Sequence, residues 1–117
     1  MSSALEQVLA ALDAQQVPKR SVLKTAVKES LAALAEIAPG RSVEVRIPPF
    51  AAVQAIPGAT HRRGTPPAVV ETDPVTWLLL FAGRLTWSDA QTLGKVRASG
   101  ERSDLGSVLA QLHSILG

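Results

Sequence analysis

The chain has 117 residues, of which 46% are hydrophobic and only 3% aromatic, and its formal net charge is +2. This length suits one domain with a substantial core. The sequence contains no cysteine, which excludes disulfides, thiolate nucleophiles and cysteine-based metal sites. The charge permits weak attraction to anionic surfaces but is modest beside that of a dedicated nucleic-acid binder.

Two amphipathic helices are predicted at the start of the chain. Apolar residues at helical spacing run from Ala4 to Gln16, and Pro18 stops the pattern. A second such pattern runs from about Ser21 to Ala38 and ends at Pro39-Gly40. The short link between them predicts an antiparallel hairpin that covers one face of a sheet.

Three strands are predicted next. Val43 to Ile47 alternates apolar and charged residues, as a strand with one buried face does. Pro48-Pro49 interrupts the pattern, Phe50 to Ile56 gives a second strand, and Ala68 to Thr72 gives a third after a polar loop. We expect these three strands to pair as an antiparallel meander.

The following helix is the most distinctive element. Asp73 stands at its N-cap and Pro74 at its first position, and Gly83 ends it. Trp77 to Ala82 has no polar face, so this helix needs cover on every side from sheet, helices or a ligand.

The last part of the chain predicts a short helix, a strand and a final helix. Ser88 is the expected cap of a helix from Asp89 to Leu93, and Lys95 to Ala98 reads as the fourth strand, with a right-handed crossover if it lies parallel to its neighbour. The final helix has Ser103 or Asp104 as its expected cap. Its apolar positions are Val108, Leu109, Leu112, Ile115 and Leu116.

The element order is therefore ααβββααβα, which predicts an α+β fold. We expect a small, curved, mostly antiparallel sheet of four to five strands covered by helices. The whole chain, residues 1–117, is expected to form one domain. Residues 1–40 would be its helix hairpin, and residues 41–117 its sheet with a helical cover.

The second half of the chain has a characteristic order of features: an acidic residue, an apolar helix, Gly-basic-Leu, a short helix with Ala, Gly-Lys-Val, a strand, and Gly-acidic. The residues concerned are Asp73, Trp77, Leu78, Gly83, Arg84, Leu85, Ala90, Gly94, Lys95, Val96, Gly100 and Glu101. This order resembles the sterol carrier protein type 2 superfamily. The upstream run VRIPPFAAVQAI…HRRGTPPAVVETDP is similar to a small bacterial branch of it, and the two regions together cover Val43 to Leu105.

The resemblance implies an apolar pocket between sheet and helices for a fatty acyl or sterol-like ligand. The candidate pocket residues are Trp77, Leu78, Phe81, Leu85, Trp87, Leu34 and Ile37. Ordinary core packing explains the same residues. The leading interpretation is lipid binding or transfer, and the alternatives are a protein-interaction module or an enzyme accessory domain with a collapsed pocket.

Catalysis finds little support in the residue types. The two histidines, His61 and His113, have no cysteine partner, and no nucleophile elbow, Walker loop or metal-spaced set accompanies them. His113 is expected to be a surface or helix-terminus residue. We therefore expect no enzyme activity, no metal and no cofactor.

Basic residues suggest two contact surfaces. His61, Arg62 and Arg63 could meet a head group through paired hydrogen bonds, or form a solvated loop. Arg20, Lys24 and Lys28 are four residues apart, so in a helix they form one ridge, either solvated or facing a weakly bound anionic membrane.

The remaining expectations concern location and assembly. The start of the sequence lacks a secretory pattern, and no apolar run is long enough to span a bilayer. We expect a cytoplasmic protein, monomeric or weakly dimeric, that binds no nucleic acid.

Overall fold

The computed structural model describes residues 2–58, 67–100 and 104–116, with the side chains of 115 and 116 left out. Within those ranges it contains α1 (Ser3–Asp13), α2 (Arg20–Ile37), β1 (Val43–Ile47), β2 (Ala51–Ala55), β3 (Ala68–Thr72), α3 (Pro74–Phe81), α4 (Trp87–Thr92), β4 (Val96–Ser99) and α5 (Gly106–Leu116). The predicted α+β class and element order are confirmed.

The four strands form one open mixed sheet in the order β2-β1-β3-β4. β1 pairs antiparallel with β2 but parallel with β3, and β3 pairs antiparallel with β4. The predicted meander of the first three strands is therefore wrong, because β3 lies on the far side of β1. Since β4 is antiparallel to its neighbour, the handedness rule for parallel crossovers does not apply to it.

Burial explains why β1 is central and β2 is at the edge. Val43, Val45 and Ile47 of β1 are completely buried, whereas Ala51 and Val53 of β2 are half-buried. An apolar strand loses most exposed surface when it has partners on both sides. A meander would have placed β2 in the centre, where its short side chains would cover less of the core.

Helices cover one face of the sheet. α2 packs against β2 and α3, α1 packs on α2, and α5 contacts both α3 and α4. The inward-facing residues of β1 and β3 share one core cluster with apolar residues of these helices. The opposite, more open face carries Glu44 and Arg46 of β1 beside Val69 and Glu71 of β3, all of them half-buried or exposed.

One helix cap differs from the prediction. α4 begins at Trp87 and is capped by Thr86, whose hydroxyl oxygen accepts from the backbone N–H of Asp89 at 3.0 Å. Ser88, the predicted cap, lies inside the helix. Thr86 has the extended backbone that a capping residue requires, and the earlier start places Trp87 in the first turn, where it is buried.

Residues close in sequence determine where α1 ends and where α5 begins. α1 ends at Asp13, earlier than predicted, because the chain turns through Gln15, whose φ is +56°. Before α5, the Asp104 carboxylate accepts a hydrogen bond of 2.7 Å from the N–H of Gly106. Ser103, the other predicted cap, lies outside the described residues.

Candidate functional site

α3 lies at the centre of the helical layer. Asp73 caps it as predicted, accepting from the N–H of Thr76 at 3.0 Å, and Pro74 occupies its first turn. Trp77, Leu78 and Leu80 are completely buried. The helix is thus covered nearly all round, as its apolar sequence requires, and only its C-terminal end borders empty space.

That space is a cavity of about 570 Å³. It lies among the start of α1, the middle of α2, the end of α3 and the last turns of α5. Its lining consists of Ser2, Leu5, Ala26, Glu29, Ser30, Ala33, Phe81, Ala82, Gly83 and His113. No strand residue belongs to the described lining. The cavity therefore lies among helices, whereas the family resemblance implies a pocket between the helices and the sheet.

Small side chains create the cavity. Ala26, Glu29, Ser30 and Ala33 lie on one face of α2, at positions i, i+3, i+4 and i+7. The facing wall after α3 is equally small, with Ala82 and Gly83. Because the side chains on both walls are small, space remains between α2 and the end of α3.

A buried hydrogen-bond chain lies directly behind the α2 wall. The Trp77 indole Nε1–H donates to Ser30 Oγ at 2.7 Å, and that hydroxyl donates to the carbonyl of Val27 at 2.8 Å. Trp77 is completely buried and Ser30 is 4% exposed. The chain satisfies both polar groups and fixes α3 against α2 beside the cavity.

His113 closes the opposite side. Its Nε2 lies 2.9 Å from the carbonyl oxygen of Leu80, and because a carbonyl can only accept, Nε2 carries the hydrogen. The ring packs over Gly83, where an added Cβ would lie 3.5 Å from it. His113 lies in the last turn of α5, in line with the expected helix-terminus position, where it is half-buried and joins α5 to the end of α3.

The predicted pocket residues are dispersed in the structure. Phe81 lines the cavity, with its ring centroid 6.1 Å from that of Trp77. The others are outside the lining: Trp77, Leu78 and Leu34 are core residues, Trp87 is buried near α5, and Ile37 and Leu85 are half-buried.

The predicted anion contacts fall in two places. His61, Arg62 and Arg63 lie outside the described residues. Arg20, Lys24 and Lys28 are all exposed on α2. The Arg20 guanidinium lies 5.0 Å from the ring centroid of Phe50, a cation–π distance, whereas Lys24 and Lys28 form no ion pair with any described residue.

Glu44 and Arg46 form an ion pair on the open face of the sheet. Arg46 makes two hydrogen bonds to the Glu44 carboxylate, of 3.0 and 3.3 Å. The hydrogen bond to Arg46 lowers the pKa of Glu44, and the same contact raises the pKa of Arg46. Glu71 on β3 adds a smaller charge effect on Arg46. On this face Glu44 and Arg46 are therefore paired with each other.

The described residues contain neither a cluster suited to a metal ion nor a helix suited to span a membrane. Across ranges 2–58, 67–100 and 104–116, no group of three or more His, Asp or Glu side chains is arranged to hold a metal ion. In the same ranges, no helix combines the length and apolarity that crossing a membrane would require.

Comparisons with known proteins show the family. The family model described as bacterial SCP ortholog matches residues 19–110. No curated protein matches the chain. The crystal structure of Sterol Carrier Protein 2 Like 2 from Aedes aegypti is 15% identical, with a TM-score of 0.44, and the match covers 78% of this chain and 96% of that one.

A second solved structure is similar at the same level. The sterol carrier protein domain 2 of Helicoverpa armigera, solved in solution, is 19% identical, with a TM-score of 0.40 and coverage of 80% of this chain and 84% of that one. Similarity of this degree identifies no site and no ligand. The family model, by contrast, spans most of the chain from α2 to α5, and the protein therefore belongs to the bacterial SCP ortholog family.

Proposed function

We propose that this protein is a non-catalytic carrier that binds one small hydrophobic lipid, with a fatty acyl or sterol-like body, in the cavity among α1, α2, α3 and α5. It works as a single domain in the cytoplasm, as a monomer or weak homodimer. Membership in the bacterial SCP ortholog family supports the ligand class.

The cavity is the observation that carries this proposal. Its 570 Å³ fall within the range of about 300–1,000 Å³ typical of small-molecule sites. Leu5, Phe81 and the alanines give it mostly apolar walls, with a few polar groups among them. Burying a hydrocarbon chain there would gain about 0.8 kcal/mol for each methylene removed from water.

Ala33→Phe tests the site directly. Ala33 lines the cavity, so a phenyl ring there would occupy space that the ligand needs. Ala32→Phe is the matched control, because Ala32 is the neighbouring exposed residue of α2 outside the lining. We expect Ala33→Phe to abolish binding of a fluorescently labelled fatty alcohol, while Ala32→Phe binds it like the wild type. Melting temperatures of both variants establish that they fold.

Native mass spectrometry of protein purified from cells gives an independent measurement. The wild type should carry the added mass of a lipid, and Ala33→Phe should not. A wild type without any lipid mass that also ignores the labelled alcohol would contradict the carrier function. That result would favour the alternative of an interaction module.

Weak docking on an anionic membrane surface is part of the same proposal. The basic ridge of Arg20, Lys24 and Lys28 supports it, because none of these three cations forms an ion pair with a described residue. Basic residues near an anionic bilayer contribute about 1 kcal/mol each. Docking would bring the carrier to the surface where its ligand resides.

A further inference from the structure

Most polar groups around the cavity already have partners. Ser30 Oγ donates to the Val27 carbonyl and accepts from Trp77. His113 Nε2–H is directed to the Leu80 carbonyl. Ser2 Oγ accepts from the N–H of Leu5 at the start of α1. These contacts hold the walls together, and among these three residues they leave the Ser2 hydroxyl as a donor and His113 Nδ1 as an acceptor.

Glu29 is the exception among them. It lies on the same face of α2 as Ala26 and Ala33, at the exposed rim of the cavity. Its carboxylate has no hydrogen bond or ion pair within the part of the chain that the structure describes. An ionised carboxylate only accepts hydrogen bonds. Glu29 therefore offers a ligand a negative charge and a hydrogen-bond acceptor.

The described lining of the cavity contains neither lysine nor arginine to balance the charge of Glu29. Lys28 precedes Glu29 in sequence, but successive residues of a helix point about 100° apart, and Lys28 is outside the lining. A carboxylate or phosphate head at this rim would therefore meet a like charge, whereas a hydroxyl or ammonium head could donate a hydrogen bond to it.

We infer that the cavity selects single-chain amphiphiles whose head group donates a hydrogen bond and carries no negative charge, and that Glu29 is the residue that determines this preference. The inference rests on the proposed function and adds a head-group specificity to it. Because Glu29 is exposed, solvent screens its charge, and the preference is modest. It corresponds to about a two- to fivefold difference in Kd.

Three ligands with one chain length test the specificity. Dodecylamine and dodecanoate, each below its micelle concentration, and dodecanol, below its solubility limit, are used to compete with the labelled fatty alcohol. With the wild-type protein we expect dodecanol and dodecylamine to bind more tightly than dodecanoate by about two- to fivefold. The difference between amine and carboxylate should shrink as salt is added.

Glu29→Gln removes the charge and keeps the shape. In this variant dodecanoate should bind more tightly than in the wild type, dodecylamine more weakly, and dodecanol about equally. Glu36→Gln is the control, because Glu36 is an exposed residue of α2 outside the lining. It makes the same change in net charge and should leave the wild-type order intact.

The outcomes separate the specificity from the function itself. If the wild type binds dodecanoate as tightly as dodecanol, or if Glu29→Gln and Glu36→Gln behave alike, the role of Glu29 is overturned while the carrier function stands. If none of the three ligands displaces the labelled alcohol, the carrier function is overturned and the head-group preference with it.

Discussion

Phe81 is the aromatic residue shared between the core and the cavity. Its ring centroid lies 6.1 Å from that of Trp77, within the range of distances that aromatic pairs favour. Trp77 is completely buried, and Phe81 is half-buried because part of it faces the empty space. A phenylalanine in this position contributes less to the stability of the core than a fully buried one. Its exposed part is available to contact a ligand in the cavity.

Phe81→Ala should therefore separate stability from binding. We expect the loss in unfolding free energy to be below the about 3–5 kcal/mol typical of a buried phenylalanine. Affinity for the labelled alcohol should fall roughly five- to tenfold, because the ligand would lose its apolar contact with the part of the Phe81 ring that faces the cavity. Urea denaturation and fluorescence titration measure the two effects.

Phe50→Ala is the control for this variant. Phe50 is also half-buried, but its ring lies against Arg20, away from the cavity. It should lose stability and keep its affinity. Unchanged affinity in a folded Phe81→Ala protein would remove Phe81 from the binding site.

Only part of the candidate site could be predicted at the residue scale. Phe81 was found through the apolar run of α3. Ala26, Ser30 and Ala33 were missed because apolar periodicity identifies large residues, whereas a cavity forms where residues are small. Their i, i+4, i+7 spacing was nevertheless visible in the sequence. His113 was missed because its contact with Leu80 joins residues 33 positions apart.

At the scale of elements, caps were easier to predict than strand neighbours. Asp73 and Pro74 act within one turn, so local sequence fixes the start of α3. The place of β3 beside β1 instead depends on long-range contacts. One of them is the hydrogen bond from Ala68 N–H to the Ser42 carbonyl, and no local pattern encodes it. Strand existence was thus predictable, and strand order was not.

Asp73→Ala should destabilise the protein by about 1 kcal/mol through the loss of the cap. Asp73→Asn should retain most of that stability, because an asparagine side chain also accepts from the helix N–H groups. Urea denaturation compares the two. Equal losses in both variants, or an altered ligand affinity with unchanged stability, would contradict the capping role.

At the scale of the whole molecule, charge is distributed unevenly over the described surface. The open face of the sheet holds the compensated pair of Glu44 and Arg46. α2 instead carries Lys24 and Lys28 without ion pairs to described residues. Like charges at this spacing repel by a few tenths of a kcal/mol. An anionic surface would turn that small cost into a gain.

Vesicle co-sedimentation tests this surface. We expect the wild type to bind vesicles that contain phosphatidylserine but not neutral phosphatidylcholine vesicles, and to lose binding as salt rises. The double variant Lys24→Glu, Lys28→Glu should bind much more weakly, since each lysine contributes about 1 kcal/mol.

A second double variant controls for net charge. Lys95→Glu with Arg97→Glu makes the same change at exposed positions around β4, the sheet edge opposite to the one that contacts α2. It should bind vesicles nearly like the wild type. A wild type that ignores anionic vesicles even at low salt would exclude membrane docking by this ridge.

The cavity also brings together distant parts of the chain. Ser2 and His113 both line it, so a ligand there would touch residues at both ends of the described chain. Bringing such distant segments together is entropically unfavourable in an unfolded chain, and only the folded chain would offer the complete binding site. Ligand binding would thus be linked to global rather than local unfolding. A ligand at a free concentration of about 100 times its Kd would add about 2.7 kcal/mol to the free energy of unfolding of the entire molecule. Ligand occupancy would therefore also affect how long the folded protein survives.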